Sequence, residues 1–305
     1  MAKATSKKGR TPAKKELINA TSYAFLKTYI NNASPVGFET SGQKLWLEYI
    51  KQYVDTTFTD PYGTAVGVIN PDAPFKVVIE AHADEISWFV NYINDQGLIH
   101  LKRNGGVDHQ IAPSMRVWIH GKKGPVKAVF GWPAIHTRLS NPEQKEPQPK
   151  VDNLTLDCGA RSKKEVEALG IHIGSVVTYE EGFDELANNF IIGRAFDNRV
   201  GGFMIAEVAR ILKENKKKLP FGLYIVNAVQ EEIGLRGAEM IARRIKPNIA
   251  IITDVTHDTH TPMISKAIEG DIQCGKGPSL AYAPAIHNKL LAIVEATANA
   301  KKIPV

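Results

Sequence analysis

The sequence predicts an α/β protein. Its core is a mostly parallel mixed sheet with helices on both faces, interrupted by a small all-β, barrel-like insertion. Three observations carry this. Apolar runs of strand length alternate with segments of helical periodicity at both ends of the chain, the pattern of strands joined by crossover helices. Between about residues 87 and 179 the texture changes to short alternating runs separated by turn residues, as a small barrel or sandwich requires. The 305 residues, 43% hydrophobic and 23% charged, are ordinary for globular structure and ample for a large core.

Helical signals begin after Glu16, where Tyr23, Leu26 and Ile30 recur at i, i+3 and i+7. A second helix is predicted over 41–53, with Leu47, Ile50 and Tyr53 among its apolar positions. The run FKVVIEA at 75–81 is a strand covered on both faces. Short strands follow at 88–93, 98–101, 115–120 and 126–132, broken by Gly105-Gly106 and Gly124-Pro125, and 141–150 is a polar, proline-containing loop. After about residue 180 the α/β pattern resumes. A helix is predicted over 198–216 on Val200, Met204, Ala206, Val208 and Ile211, and a buried strand, FGLYIVNAV, at 221–229. A helix over 237–244, a buried strand IAIIT at 249–253 and an amphipathic helix over 288–301 complete the order, and no internal repeat is visible.

Composition excludes several classes. No apolar run reaches the roughly 18 residues of a membrane span. The net charge is +6, but Lys3, Lys7, Lys8, Arg10, Lys14 and Lys15 place all of it in residues 1–15, leaving 16–305 neutral. A nucleic-acid partner is therefore not expected. Without an apolar core, the basic segment reads as a short disordered tail rather than a secretory signal. Cys158 and Cys274 are far apart, which is no disulfide framework and no metal knuckle; they read as small buried residues in a reducing, intracellular compartment.

Four clusters of acid and histidine share one address. His82 and Asp84 follow the 75–81 strand, Asp197 precedes a helix, Glu231 and Glu232 follow the 221–229 strand, and Asp254 ends the 249–253 strand. Ligands of open α/β sheets bind at the carboxyl ends of strands. Imidazole and carboxylates without thiolate suit zinc, cobalt or manganese. A pair of such ions can share a bridging carboxylate and activate a water, whose proton a neighbouring carboxylate accepts. Taken singly, each cluster has an ordinary explanation: an aspartate closing a strand forms turns, and paired glutamates before a helix offset its dipole. Their common position at strand ends and helix starts favours a site.

The strings AHADEIS at 81–87, AFDNR at 195–199, QEEIGLRGA at 230–238 and TDVT at 253–256 resemble the dinuclear-metal aminopeptidases of the glutamyl aminopeptidase group. That group includes the TET peptidases and the deblocking aminopeptidases, formerly called cellulase M. The resemblance runs from about Glu16 to the end of the chain. Within the insertion, 97–121 and 156–177 look like the group's dimerisation domain. It implies a catalytic domain formed by 16–85 and 178–305 and an inserted β dimerisation domain at 86–177; the basic tail at 1–15, read from its charges, lies outside it.

Carried over residue by residue, the resemblance makes His82 and Asp254 ligands of one metal, with Asp84 orienting His82. It makes Asp197 the bridging ligand, Glu232 a ligand of the second metal, and Glu231 the general base. It implies two divalent ions, zinc or cobalt, a cytoplasmic enzyme acting on short peptides, and self-association through dimers into a tetrahedral dodecamer. One departure stands out. The group's pattern supplies a further histidine to the second metal beyond the last matched helix, whereas this chain stops at Ile303-Pro304-Val305. The expectation is a truncated sequence of an active enzyme, with a non-catalytic assembly or peptide-binding homologue as the alternative. His257 and His260 follow Asp254 but are placed by the resemblance in a loop away from the metals. His136 and His287, like His100, His109, His120 and His172 of the insertion, are expected to be ordinary polar or packing residues. A glycosidase reading is disfavoured, because the carboxylates come with a histidine ligand rather than as a pair flanking a glycosidic bond.

Overall fold

The structure, a computed structural model, describes residues 17–139, 147–180 and 182–305. The basic tail at 1–15 and most of the loop predicted over 141–150 lie outside these residues. The chain forms two compact units, Met1–Asp254 and Val255–Val305.

The first unit opens with helices α1 (Ala20–Asn31) and α2 (Thr40–Ile50). The Asn19 side chain accepts the Ser22 amide at 2.9 Å and caps α1, which buries Phe25, Leu26, Tyr29 and Ile30. Strands β1 (Thr56–Thr59) and β2 (Ala65–Ile69) then form an antiparallel hairpin that the sequence reading left unassigned. Its turn carries a recognisable signal, Asp60-Pro61-Tyr62-Gly63. The Asp60 carboxylate accepts the amides of Tyr62, Gly63 and Thr64 at 3.0, 2.8 and 2.9 Å. Strand β3 (Lys76–His82) follows and leads into the barrel.

The barrel is built from β4 (Ser87–Ile93), β5 (Ile99–Asn104), β6 (Arg116–Gly121), β7 (Gly124–Gly131), β8 (Thr155–Asp157) and β9 (Val176–Tyr179). They close in the order β4-β5-β8-β7-β6-β9, with β9 pairing back onto β4 through Trp88 and Val177. Closure leaves no free sheet edge. Trp88, Ile99, Val117, Ile119, Phe130, Leu156 and Val177 fill the interior, and the Trp88 and Phe130 rings meet edge-on at 5.0 Å. Two short helices interrupt these strands, α3 (Ile135–Arg138) and α4 (Lys163–Ala168). The α4 start is a cap that the sequence reading passed over: Ser162 accepts the Glu165 amide, and Glu165 in turn accepts the Arg161 amide.

After a two-strand ribbon, β10 (Asp184–Glu185) with β11 (Ile191–Ile192), the unit returns to α/β structure. Helix α5 (Phe196–Glu214), strand β12 (Gly222–Ala228), helix α6 (Arg236–Ile245) and strand β13 (Ile249–Ile252) follow. The sheet order is β1-β2-β12-β3-β13. Pairings β12–β3 and β3–β13 are parallel, whereas β1–β2 and β2–β12 are antiparallel. The sheet is thus evenly mixed rather than mostly parallel. Only residues 70–75 separate β2 from β3, too few for the helical crossover that parallel strands need, so the chain reverses direction there.

Side-chain alternation sorts the two faces. Val77, Ala81, Leu223 and Ile225 pack under α1, α2 and α5, while Val78, Val226 and Ala228 pack against Ile241 and Ile245 of α6. Helices therefore cover both faces.

The second unit holds α7 (Lys266–Glu269) and α8 (Asn288–Lys301). The His287 ring accepts the Leu290 amide at 3.4 Å and caps α8. Cys274 is exposed and Cys158 half-buried, so neither is the buried cysteine expected from sequence. Among the described residues no helix is long and apolar enough to cross a membrane.

Candidate metal centre

Three adjacent parallel strands decide where the chemistry gathers. In register, Ala228 of β12 lies beside His82 at the end of β3, and Ile252 of β13 lies beside Glu80. Running two residues past Ile252 brings Asp254 level with His82. Running three past Ala228 brings in Glu231, at the start of a short 3₁₀ turn, Glu231–Ile233. Asp197 arrives from the first turn of α5, where Asp197 and Asn198 depart from helical dihedrals and their shared peptide bond is cis.

His82 is the hub. Its Nε2 lies 3.0 Å from Asp197 Oδ1, 3.6 Å from Glu231 Oε2 and 4.0 Å from Asp254 Oδ1. Two overlapping sets of donor atoms form around it. His82, Asp197 and Asp254 converge within 4.8 Å of one another, as do His82, Glu231 and Glu232. The first triad coincides with the residues the resemblance gives to one metal and its bridge. In the second set, Glu232 gathers with His82 and Glu231, and Asp197 is not a member.

Asp84, wholly buried, holds this arrangement from behind. Its Oδ1 accepts the Glu231 amide at 3.0 Å and its Oδ2 the Glu232 amide at 3.1 Å, while Oδ1 stands 3.4 Å from His82 Nδ1. One carboxylate thus orients the imidazole and the turn carrying both glutamates. Glu39, also buried, accepts the preceding amide, that of Gln230, at 3.3 Å. The sequence reading did not find Glu39, because it is remote in the chain and carries no motif.

A buried ion pair fixes the two segments that present His82 and Asp197. Glu85 Oε1 accepts from Arg199 Nη2, and its Oε2 from Arg194 Nε, both at 2.8 Å. Arg199 is completely buried and also donates to the carbonyls of Tyr29, Ala83 and Asn32. Burial pushes the Glu85 carboxyl up, but the Arg199 and Arg194 charges outweigh it and hold it below its usual value. Both residues stood in quoted motifs without an assigned role.

The electrostatics call for a cation. Burial pushes the His82 imidazole down, yet Asp197 and Asp84 outweigh it and carry it up to about 10. Burial and the Asp197 charge push Glu232 up to about 7, and burial raises Glu231, with Asp254 and Asp84 adding to the rise. Four carboxylates facing one imidazole repel each other, and a divalent ion would relieve this. His82 turns Nε2 toward Asp197, Glu231 and Asp254, and the donor set is imidazole and carboxylate oxygen. These residues fit zinc or cobalt.

The glutamate turn is also held sterically. Gly237, at the start of α6, approaches the chain so closely that a Cβ there would stand 2.3 Å from the Val229 carbonyl oxygen and 2.6 Å from its nitrogen. Gly237→Ala is expected to cost about 1–3 kcal/mol of stability through overpacking. It should also lower activity by moving the turn, as read by urea denaturation alongside a peptidase assay.

Among the other histidines, His120 Nε2 meets Thr178 Oγ1 at 3.0 Å. Within the second unit, His260 Nε2 lies 2.9 Å from Asp271 Oδ1. These are polar packing contacts.

Comparison with known proteins gives the family. The lysyl aminopeptidase of Pyrococcus furiosus is 30% identical over 285 residues, covering 92% of this chain and 79% of that protein. A TET aminopeptidase from the marine sediment archaeon Thaumarchaeota archaeon SCGC AB-539-E09 superposes with a TM-score of 0.88 at 27% identity, covering 93% of this chain and 79% of the other. An aminopeptidase from Desulfurococcus kamchatkensis superposes with a TM-score of 0.84 at 30% identity, covering 93% of this chain and 78% of the other. The M42 glutamyl aminopeptidase family matches residues 63–305, and the chain belongs to that family.

Proposed function

We propose that the protein is a metal-dependent aminopeptidase that releases N-terminal residues from short peptides by attack of a water activated at two divalent ions, zinc or cobalt. The carrying observation is the convergence of His82 with Asp197, Asp254, Glu231 and Glu232 at the ends of three adjacent strands. In this reading His82, Asp197 and Asp254 would hold one ion, and Asp197 and Glu232 would hold the other. Bound there, the ions supply Lewis-acid polarisation of the scissile carbonyl and lower the pKa of a water.

The remaining work belongs to the chain. Glu231, whose carboxyl burial pushes up from its usual value, accepts the proton of the attacking water and delivers it to the leaving amine. Asp84 keeps the turn carrying both glutamates in register through its bonds from the Glu231 and Glu232 amides, with the His82 ring 3.4 Å away.

The relatives are named as aminopeptidases, which supports this reading and lends none to a non-catalytic subunit. Family membership also supports a cytoplasmic enzyme with its catalytic part in 16–85 and 178–305. Residues 86–177 would be the dimerising insertion, and assembly would run through dimers to a tetrahedral dodecamer. Light scattering should then give twelve times the 33.6 kDa chain mass. The deciding experiment is removal of metal. Dialysis against a chelator should abolish hydrolysis of aminoacyl anilides, and Zn²⁺ or Co²⁺ should restore it. Activity that survives complete metal removal would sink the proposal.

A further inference from the structure

We propose that Asn198 is a positioning residue of the metal centre, tying the backbone that carries Asp197 to the backbone that carries Asp254. The proposal rests on the metal-centre reading above. Asp197 and Asp254 share a triad with His82, but their side chains are 55% and 53% exposed. Packing around the carboxylates therefore does little to set their separation. They also come from different elements, the start of α5 and the end of β13.

Asn198 supplies the link. It is the neighbour of Asp197, is only 1% exposed, and its Nδ2 donates to the Thr253 carbonyl at 2.6 Å. Thr253 is the neighbour of Asp254. Thr253 is itself anchored, since its amide and its hydroxyl both donate to the Glu80 carbonyl at 2.9 Å. Glu80 lies two residues before His82. A single chain of hydrogen bonds therefore joins the backbones of all three triad residues.

A second observation points the same way. Asn198 Oδ1 is buried without a hydrogen-bond partner. Leaving a buried carbonyl oxygen unpaired is unfavourable, yet the amide must face this way for Nδ2 to reach the Thr253 oxygen. The space that Oδ1 occupies exists only because residue 201 is glycine: a Cβ on Gly201 would stand 2.2 Å from it. Outer residues that orient metal ligands typically contribute 10- to 100-fold in metal affinity.

The test is Co²⁺ binding to the full 305-residue chain, followed by equilibrium dialysis and by the visible absorption bands of the bound ion. Asn198→Ala should weaken Co²⁺ binding by about 10- to 100-fold and shift the bands, with the far-ultraviolet circular dichroism of the metal-free protein unchanged. Gly201→Ala, which alters no metal-site side chain, should do the same, because its methyl group would stand 2.2 Å from Asn198 Oδ1 and 2.9 Å from its Cγ, a harder clash than the 3.0 Å approach to Ala81 Cβ. If Asn198→Ala fails to fold, Gly201→Ala decides alone. Wild-type affinity and wild-type bands in the folded variants would overturn the role of Asn198 and leave the metal centre standing. A wild-type protein that takes up no Co²⁺ would overturn the metal centre and this proposal together.

Discussion

Glu231→Gln is expected to lower kcat for aminoacyl anilides by a factor on the order of 10² to 10⁴, the range of a lost general base, while metal content stays near that of the wild type. The amide keeps the volume and the Oε1 acceptor of the glutamate but cannot take a proton at neutral pH. The Glu231 backbone amide still donates to Asp84, so the turn and its neighbour Glu232 should hold their places. Glu231 is also more sheltered than two of the other carboxylates, 28% exposed against 55% for Asp197 and 53% for Asp254. Burial raises its proton affinity toward the range a base needs. Steady-state kinetics with metal analysis on the same sample separates this role from ligation. Full activity would remove Glu231 from the mechanism, and loss of an ion would reassign it as a ligand.

The largest stability loss is expected from Glu85→Ala. It leaves the Arg199 guanidinium completely buried with its ionic partner gone. Breaking a buried pair in this way costs about 3–5 kcal/mol, because the remaining charge keeps its desolvation cost and loses its compensation. Denaturant unfolding of the metal-free protein measures it. The loss should exceed that of Arg194→Ala, since Arg194 retains 11% exposure and Glu85 keeps Arg199 in that variant. Equal losses in the two variants would show that the Glu85–Arg199 pair has no special weight. The effect should reach the site as well. Glu85 adjoins Asp84, and Arg199 lies two residues after Asp197, so the pair joins the end of β3 to the start of α5.

Much of this was legible in the sequence. The strands that end at the site are apolar runs long enough to be recognised alone: the predicted 75–81, 221–229 and 249–253 lie within two residues of Lys76–His82, Gly222–Ala228 and Ile249–Ile252 at either end; the last, expected to be buried, is instead exposed at Ile251 and Ile252, because β13 pairs on one side only among the described residues. The helix predicted over 288–301 is α8 itself. Strand β1 was missed because Thr56–Thr59 is short and mostly exposed and so has no hydrophobic pattern, whereas β2, Ala65–Ile69, is a buried apolar run that was legible together with the Asp60-Pro61 turn. The even mixture of parallel and antiparallel pairing was missed because strand direction depends on which strands become neighbours. That is a contact between residues distant in the chain.

The sequence by itself determined the chemistry available: one histidine and a set of carboxylates placed at the ends of apolar strands or ahead of a helix, where side chains leave the sheet and can meet a ligand. Local periodicity and residue type suffice for that, since both act over a few residues. Tertiary structure decided everything that depends on distance. It placed β3 between β12 and β13, so that His82 became the hub. It also turned Asp84, Glu39, Asn198 and the Glu85–Arg199 pair into the frame that holds the site. Those residues act through hydrogen bonds and charges in a buried environment, and their partners are set by packing rather than by spacing along the chain.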